Sequence, residues 1–127
     1  MALDFLSDVT SKSLAKTLDA SALRQRAISN NIANVETPGY KRSYVAFEDE
    51  LRTIMNGDSP TISDRQALNE LEPISQTDMA SPARSDGNNV NIDAEIADLA
   101  KNSLKYKALA TILEARGAML RAAIQGR

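Results

Sequence analysis

The sequence predicts a mainly α protein in which long N- and C-terminal helices form an antiparallel coiled-coil-like pair, joined by an irregular acidic middle with room for short strands. Three observations carry this. Apolar residues recur in alternating steps of four and three at both ends of the chain, the 3.5-residue period of a coiled-coil seam. Apolar content is 43% but aromatic content only 4%, with no Trp, so the apolar positions are largely Ala, Leu and Ile, which suits helices packed side by side. Between the two ends, proline, glycine and short polar residues accumulate and the period is lost. At 127 residues the chain is one domain at most. It divides into an N-terminal helix (1–35), a turn and irregular middle (36–91) and a C-terminal helix (92–127).

The first element opens with a short apolar lead, Leu3, Phe5, Leu6 and Val9, expected to start a helix and pack on the core. From about Thr10 to Ala33 the seam runs Leu14, Leu18, Ser21, Gln25, Ile28, Ile32 and on to Val35. Ser21 and Gln25 are polar, and Leu23 and Ala27 widen the apolar face beside them. A seam broken in this way predicts packing against several neighbours rather than a self-sufficient dimer. The run Asn30-Asn31-Ile32-Ala33-Asn34 then brings the helix to its end, because Asn amides compete for backbone hydrogen bonds. Asn34 is expected in a left-handed terminal conformation. Thr37 precedes proline and is pushed out of the α region. Pro38 fixes φ for one corner and Gly39 supplies φ > 0 for the next, which predicts a type II turn.

The middle starts with an extended piece to about Ala46 and a short helix near 47–55, where Phe47, Leu51 and Met55 fall at helical spacing. Asn56-Gly57-Asp58-Ser59-Pro60 ends that helix. Residues 56–91 hold Pro60, Pro73, Pro82, Gly57 and Gly87 among many Ser, Thr, Asn and Asp, and read as irregular. Short strands are placed at Thr61-Ile62 or Pro73-Ile74. So long a loop suits a segment ordered by neighbours. Asp86-Gly87-Asn88-Asn89 is a strong turn.

The last helix is capped by Asn91 or Asp93, with Asp93, Glu95 and Asp98 near its positive end. It is expected to run about 32 residues, roughly 48 Å. Its seam is Ile92, Ile96, Leu99, Ser103, Tyr106, Ala110, Leu113, Gly117, Leu120 and Ile124. Ser103, Ala110 and Gly117, spaced seven apart, are small, which lets a partner backbone come close. Leu104, Leu109, Ile112 and Met119 add apolar surface beside the seam. The face is wider than one helix covers, so a pair with the first helix leaves apolar surface for other subunits.

Formal charge is −2, distributed as +2 over residues 1–47, −9 over 48–100 and +5 over 101–127. Helix-dipole matching accounts for part of this, and acidic middles meeting basic ends of neighbouring subunits for another. The small net charge gives no strong pull toward nucleic acid or an anionic membrane. The absence of Cys and His removes thiolate chemistry, imidazole-based zinc sites and His general bases. The glycines are isolated, so no phosphate-binding loop is present, and the carboxylate pairs fit helix starts and solvated faces. The reading is therefore a non-enzyme with no cofactor, no metal and no direct membrane insertion. The N-terminus lacks the basic start and apolar run of a secretory signal peptide.

Two stretches carry a resemblance. Ala27-Ile28-Ser29-Asn30-Asn31-Ile32-Ala33-Asn34 with Thr37-Pro38-Gly39-Tyr40-Lys41 resembles the N-terminal signature of the bacterial flagellar axial proteins of the rod and hook. Phe47-Glu48 and Asp86-Gly87-Asn88-Asn89-Val90-Asn91 through Tyr106 are similar to the short B-type members of the flagella basal body rod protein family, which form the proximal rod. The resemblance spans roughly 14–55 and 84–125; residues 56–83 match nothing recognised. It implies a structural subunit exported by the flagellar type III apparatus without a cleaved signal. Its terminal helices would pack around the axial channel in the periplasmic rod, against copies of itself, the basal adaptor protein and other rod proteins, and the rod would transmit torque. It also implies that the N-terminal lead takes part in docking or export. The competing expectation is a two-helix protein-binding adaptor that stays in the cytoplasm. The residues expected at helix-packing or subunit contacts are Leu14, Leu18, Ile28, Ile32, Ile96, Leu99, Tyr106, Ala110, Leu113, Gly117, Leu120 and Ile124.

Overall fold

The computed structural model describes residues 2–57 and 61–126, with the side chains of residues 2–8 left undescribed. The side chains of Leu3, Phe5 and Leu6 in the apolar lead, Asp58-Ser59-Pro60 of the helix-ending turn, and Arg127 therefore lie outside the described part of the chain. The order is α1 (Ala2–Ala33), β1 (Ser43–Ala46), α2 (Glu48–Met55), α3 (Ile62–Glu70), β2 (Ile74–Thr77) and α4 (Ile92–Gln125). Helix α1 starts well before Thr10, so the lead and the seam are one helix.

Helices α1 and α4 lie side by side and antiparallel. Asn31 reaches Glu95, Gln25 reaches Asn102, and Leu18 lies beside Leu113 and Gly117, so contacts move down one helix as they move up the other. The largest apolar cluster is on another side of α1. Val9, Ala20 and Ala27 meet Val45, Phe47, Leu68 and Leu71, with Leu23, Leu51 and Ile54 at its margin. On a helix turning about 100° per residue, Val9, Ala20 and Ala27 share one stripe, and Leu18, Ser21 and Gln25 fall on a nearly opposite one. Helix α1 is thus the shared wall between α4 and a small shoulder made of the two-stranded sheet, formed by Ser43–Ala46 and Ile74–Thr77, with α2 and α3.

The shoulder is more ordered than its composition suggests. Strands β1 and β2 pair antiparallel, with Ser43 opposite Thr77 and Ala46 opposite Ile74. The Pro73-Ile74 expectation is close to β2. Thr61-Ile62 is not a strand: Thr61 caps α3 in a capping box, its hydroxyl accepting from the Asp64 N–H while the Asp64 carboxylate accepts from the Thr61 N–H. Helix α3 stands where the composition predicts irregular chain, and its one buried side chain, Leu68, is what ties it to the core.

The turns follow their chemistry. Gly39 has φ 74° and the Tyr40 N–H returns to the Thr37 carbonyl at 3.3 Å. Asn34 departs from expectation, since no described non-glycine residue has positive φ. Its amide instead donates back to the Asn30 carbonyl and its Oδ1 accepts from the Thr37 hydroxyl, which ends the helix without a left-handed residue. Asn91 caps α4, accepting from the Asp93 and Ala94 N–H groups, and Gly126 at φ 68° closes the other end.

Candidate functional site

The two motif stretches meet. The turn at Gly39 and the turn at Gly87 pack backbone to backbone: the Gly39 N–H donates to the Asp86 carbonyl at 2.8 Å, and a Cβ on Gly87 would stand 3.3 Å from the Gly39 Cα. The Lys41 ammonium donates to the Gly87 carbonyl at 2.7 Å. Asn88, fully buried, donates through Nδ2 to the carbonyls of Asn34 and Thr37, both at 2.9 Å, and accepts at Oδ1 from the Val90 N–H. Asn89 accepts from the Arg42 N–H and donates to the Asp78 carbonyl. The Arg84 guanidinium donates to the Val35 carbonyl and closes the same corner.

Asn31 is the centre of this knot. Its Nδ2 donates to the Ser43 carbonyl at 2.8 Å and to Glu95 Oε2 at 3.0 Å; its Oδ1 accepts from the Ser43 N–H at 2.8 Å and from the Tyr40 hydroxyl at 3.2 Å. All four hydrogen-bonding positions of the amide are filled. The other Glu95 oxygen takes the Arg42 guanidinium at 2.7 Å, and Arg42 also reaches Asp78 at 3.4 Å. Burial opposes the Arg42 charge, but the hydrogen bond and charge of Glu95, with help from Asp78, hold its pKa above the ordinary value. The Ser81 hydroxyl and N–H, then the Ala80 N–H and Arg42, hold the Asp78 carboxyl well below the usual carboxylate range. Glu95 is 1% exposed, a buried charge tolerated because both oxygens are paired.

A second pin lies further along α4. Glu48, at the start of α2, receives Arg24 of α1 and Lys105 of α4, both at 2.7 Å. Burial pulls the Glu48 carboxyl upward. The Lys105 hydrogen bond, its own helix-start N–H and the Arg24 and Lys105 charges outweigh that and set its pKa at about 2. Between the two pins, Asn102 donates to the Ser21 carbonyl and to Gln25 Oε1, both at 2.9 Å. The polar break in the α1 seam is thus where α4 presents an amide.

The side of α4 that meets α1 is therefore not its apolar seam alone. The buried α4 residues are Glu95 and Asn102. Of the expected packing residues, Ile28 is buried, and Leu14, Leu18, Ile32, Leu99, Ala110, Leu113 and Gly117 are half-buried. Ile96, Tyr106, Leu120 and Ile124 are exposed, as are Leu104, Ile112 and Met119. Of the motif residues, Asn31, Asn88, Asn89 and Val90 are buried; Ile32, Asn34, Tyr40, Lys41 and Gly87 are half-buried; Ala33, Thr37, Pro38 and Gly39 are exposed. Sequence reasoning missed Arg42, Asp78, Glu95, Asn102 and the Arg24–Glu48–Lys105 triad as structural groups. Glu95 reads as an ordinary first-turn acid, and only its partner 64 residues away distinguishes it.

Among the described residues no group of three or more His, Cys, Asp or Glu side chains could hold a metal ion, and no helix is long and apolar enough to cross a membrane. The arrangement is a scaffold: one end of a helix pair knotted by polar groups, the other presenting apolar surface.

Comparison with known proteins agrees. Residues 13–41 match the family described as Flagella basal body rod protein. The flagellar basal body rod protein FlgB of Borrelia hermsii is 39% identical over 108 residues, covering 75% of this chain and 80% of the relative. The chain belongs to the FlgB family of flagellar basal body rod proteins. The FlgB of Bacillus subtilis is 27% identical over 121 residues, 92% of this chain and 94% of that protein. The FlgB of Escherichia coli is 30% identical over 104 residues, covering 72% and 75%. The stretch matched to the family, from α1 into the first motif turn, ends at Lys41 inside the knot. FlgB-type proteins are structural components of the rod.

Proposed function

We propose that this chain is a self-assembling subunit of the proximal rod, exported through the flagellar type III apparatus and packed by its terminal helices around the axial channel. There it contacts copies of itself, the basal adaptor protein and the next rod proteins. The observation that carries the reading is the distal half of α4, a helix apolar on several sides and largely exposed in the single chain, within a family of rod proteins. Exposed apolar side chains gathered on one helix mark a surface for neighbouring proteins. Interlocked long helices suit a torque-bearing shaft because load is shared over many packed side chains.

Gly117→Leu tests it in a cell lacking the native gene. A Cβ at Gly117 meets only the flexible end of Arg121, at 3.7 Å, so the folded chain has room at the start of that side chain. The bulk should block close approach by a neighbour. The expected result is an exported protein with no assembled rod and no swimming. Normal swimming with this variant would overturn the role of the terminal-helix face. Retention of the parent protein in the cytoplasm of a motile cell would overturn the rod reading itself.

A further inference from the structure

Two dipeptides in the chain place glycine directly after Asn or Asp, Asn56-Gly57 and Asp86-Gly87, and the fold treats them oppositely. At the second, the Gly87 N–H donates to the Arg84 carbonyl at 2.9 Å, the Asp86 carboxylate accepts from the Asn88 N–H at 3.0 Å, and the Gly39 backbone packs against the turn. Nitrogen and side chain are both held. Asn56 and Gly57 follow Met55, the last residue of α2, and both are exposed. Among the described residues nothing hydrogen-bonds the Asn56 side chain or the Gly57 N–H. The amides of Asn31, Asn88 and Asn89, by contrast, are buried and engaged, and none of these precedes a glycine.

We propose that Asn56 is a site of self-modification, in which the Gly57 backbone nitrogen attacks the Asn56 side-chain carbonyl and converts the residue to aspartate and isoaspartate. Hydroxide removes the Gly57 N–H proton and the N–Cγ bond forms. The Cγ–Nδ2 bond breaks, its electron pair leaving with the nitrogen, which takes a proton from water and departs as ammonia. Water then opens the resulting five-membered imide. Attack at Cγ gives aspartate, and attack at the main-chain carbonyl gives isoaspartate. The ring closure is intramolecular, so its rate depends on how readily the nitrogen reaches Cγ. Asn56 has ψ 6° and must rotate about its Cα–C bond to bring the nitrogen there. With no hydrogen bond to break among the described residues, and no Cβ on Gly57 to hinder the rotation, that movement is easy. The product puts a new negative charge at the negative end of α2, where Arg52 is the basic residue of the last turn. Isoaspartate also lengthens the main chain by a methylene. Both changes loosen the end of α2.

The test incubates the full-length chain in mildly alkaline and mildly acidic buffer and follows the tryptic peptide 53–65, released by cleavage after Arg52 and Arg65, by mass spectrometry. The peptide should acquire the mass shift of an amide exchanged for an acid and split into two chromatographic forms, faster in the alkaline buffer. Gly57→Ala should lose most of that shift over the same interval. Asp86→Asn sets the same chemical pair inside the held turn; the new amide should stay intact in the folded chain and react in urea, while Asn56 reacts in both. Circular dichroism checks that each variant is helical, and the parent with Gly57→Ala decides the site even if the third chain does not fold. No shift in peptide 53–65, equal rates in the two buffers, or an undiminished shift in Gly57→Ala would each overturn the proposal. So would position 86 reacting as fast as Asn56 in the folded chain, or staying silent in urea, since the free nitrogen at Gly57 would then not be what selects the site.

Discussion

The two halves of α4 differ in what holds them. From Ile92 to Lys105 the helix is fixed by side chains with specific partners: Glu95 in the knot, Asn102 against Ser21 and Gln25, Lys105 on Glu48. Beyond Lys105 no described side chain is fully buried, and apolar residues face outward. A buried polar network accepts essentially one geometry, because any other leaves an unpaired donor or acceptor. Apolar surface is undemanding about its partner. The residues by which the family is recognised lie mostly in the first kind of region. Within the single chain they hold the knot together.

The strongest test of that contrast is Asn31→Leu. It removes four hydrogen bonds at once and leaves a Glu95 oxygen short of a donor. It should lower unfolding free energy in urea by about 4 kcal/mol. A loss below about 1 kcal/mol would mean the knot is not what secures this end. A matched glycine pair sharpens the comparison. Gly87→Ala forces a side chain onto φ 85° and against the Gly39 backbone, and should cost about 2 kcal/mol. Gly117→Ala has space and an ordinary helical backbone, and should stabilise the chain by about 0.8 kcal/mol. Equal effects in the same urea series would erase the distinction.

An effect close in size to the gain at Gly117 is in pH. The Glu48 carboxyl sits at about 2 in the folded chain against an ordinary 4.5. Its stabilisation is full above about pH 4.5 and is lost as pH falls toward 2. The shift alone corresponds to about 3 kcal/mol. Because the side chain is 39% exposed, solvent screening reduces this to about 1 kcal/mol. The parent should lose that much more than Glu48→Gln between pH 5 and 2.5 in urea titrations, and identical slopes would remove Glu48 as a pin.

Much of this is legible in the sequence. The two long helices, the turn at Gly39, the passage from strand to helix near Phe47 and the Asn91 cap each come from local chemistry. Helix α3 is hidden by its flanking prolines and polar composition, although Thr61 and Asp64 do spell a capping box. The left-handed expectation for Asn34 fails because its amide finds the Asn30 carbonyl instead. The joining of the motif stretches is not legible, since nothing in a single chain's spacing says that Asn88 will hydrogen-bond the carbonyls of Asn34 and Thr37. Nor is the polar content of the α1-facing side of α4. Periodicity shows where apolar residues align, but a buried Glu or Asn declares itself only with its partner in place.

The touching turns also set an order of events in folding. The bends at Gly39 and Gly87 are local and close quickly, but Lys41 and the carbonyl it binds are 46 residues apart in the chain. Bringing them together requires closing a long loop, and that search is slow relative to helix growth. Once closed, it places the start of α4 beside the end of α1, and each later contact between the helices encloses only a short additional segment. Pairing then runs outward from the knot like a zip. The last teeth to engage, and the first to part, are at the far end of α4, where apolar side chains such as Met119 and Ile124 stay exposed.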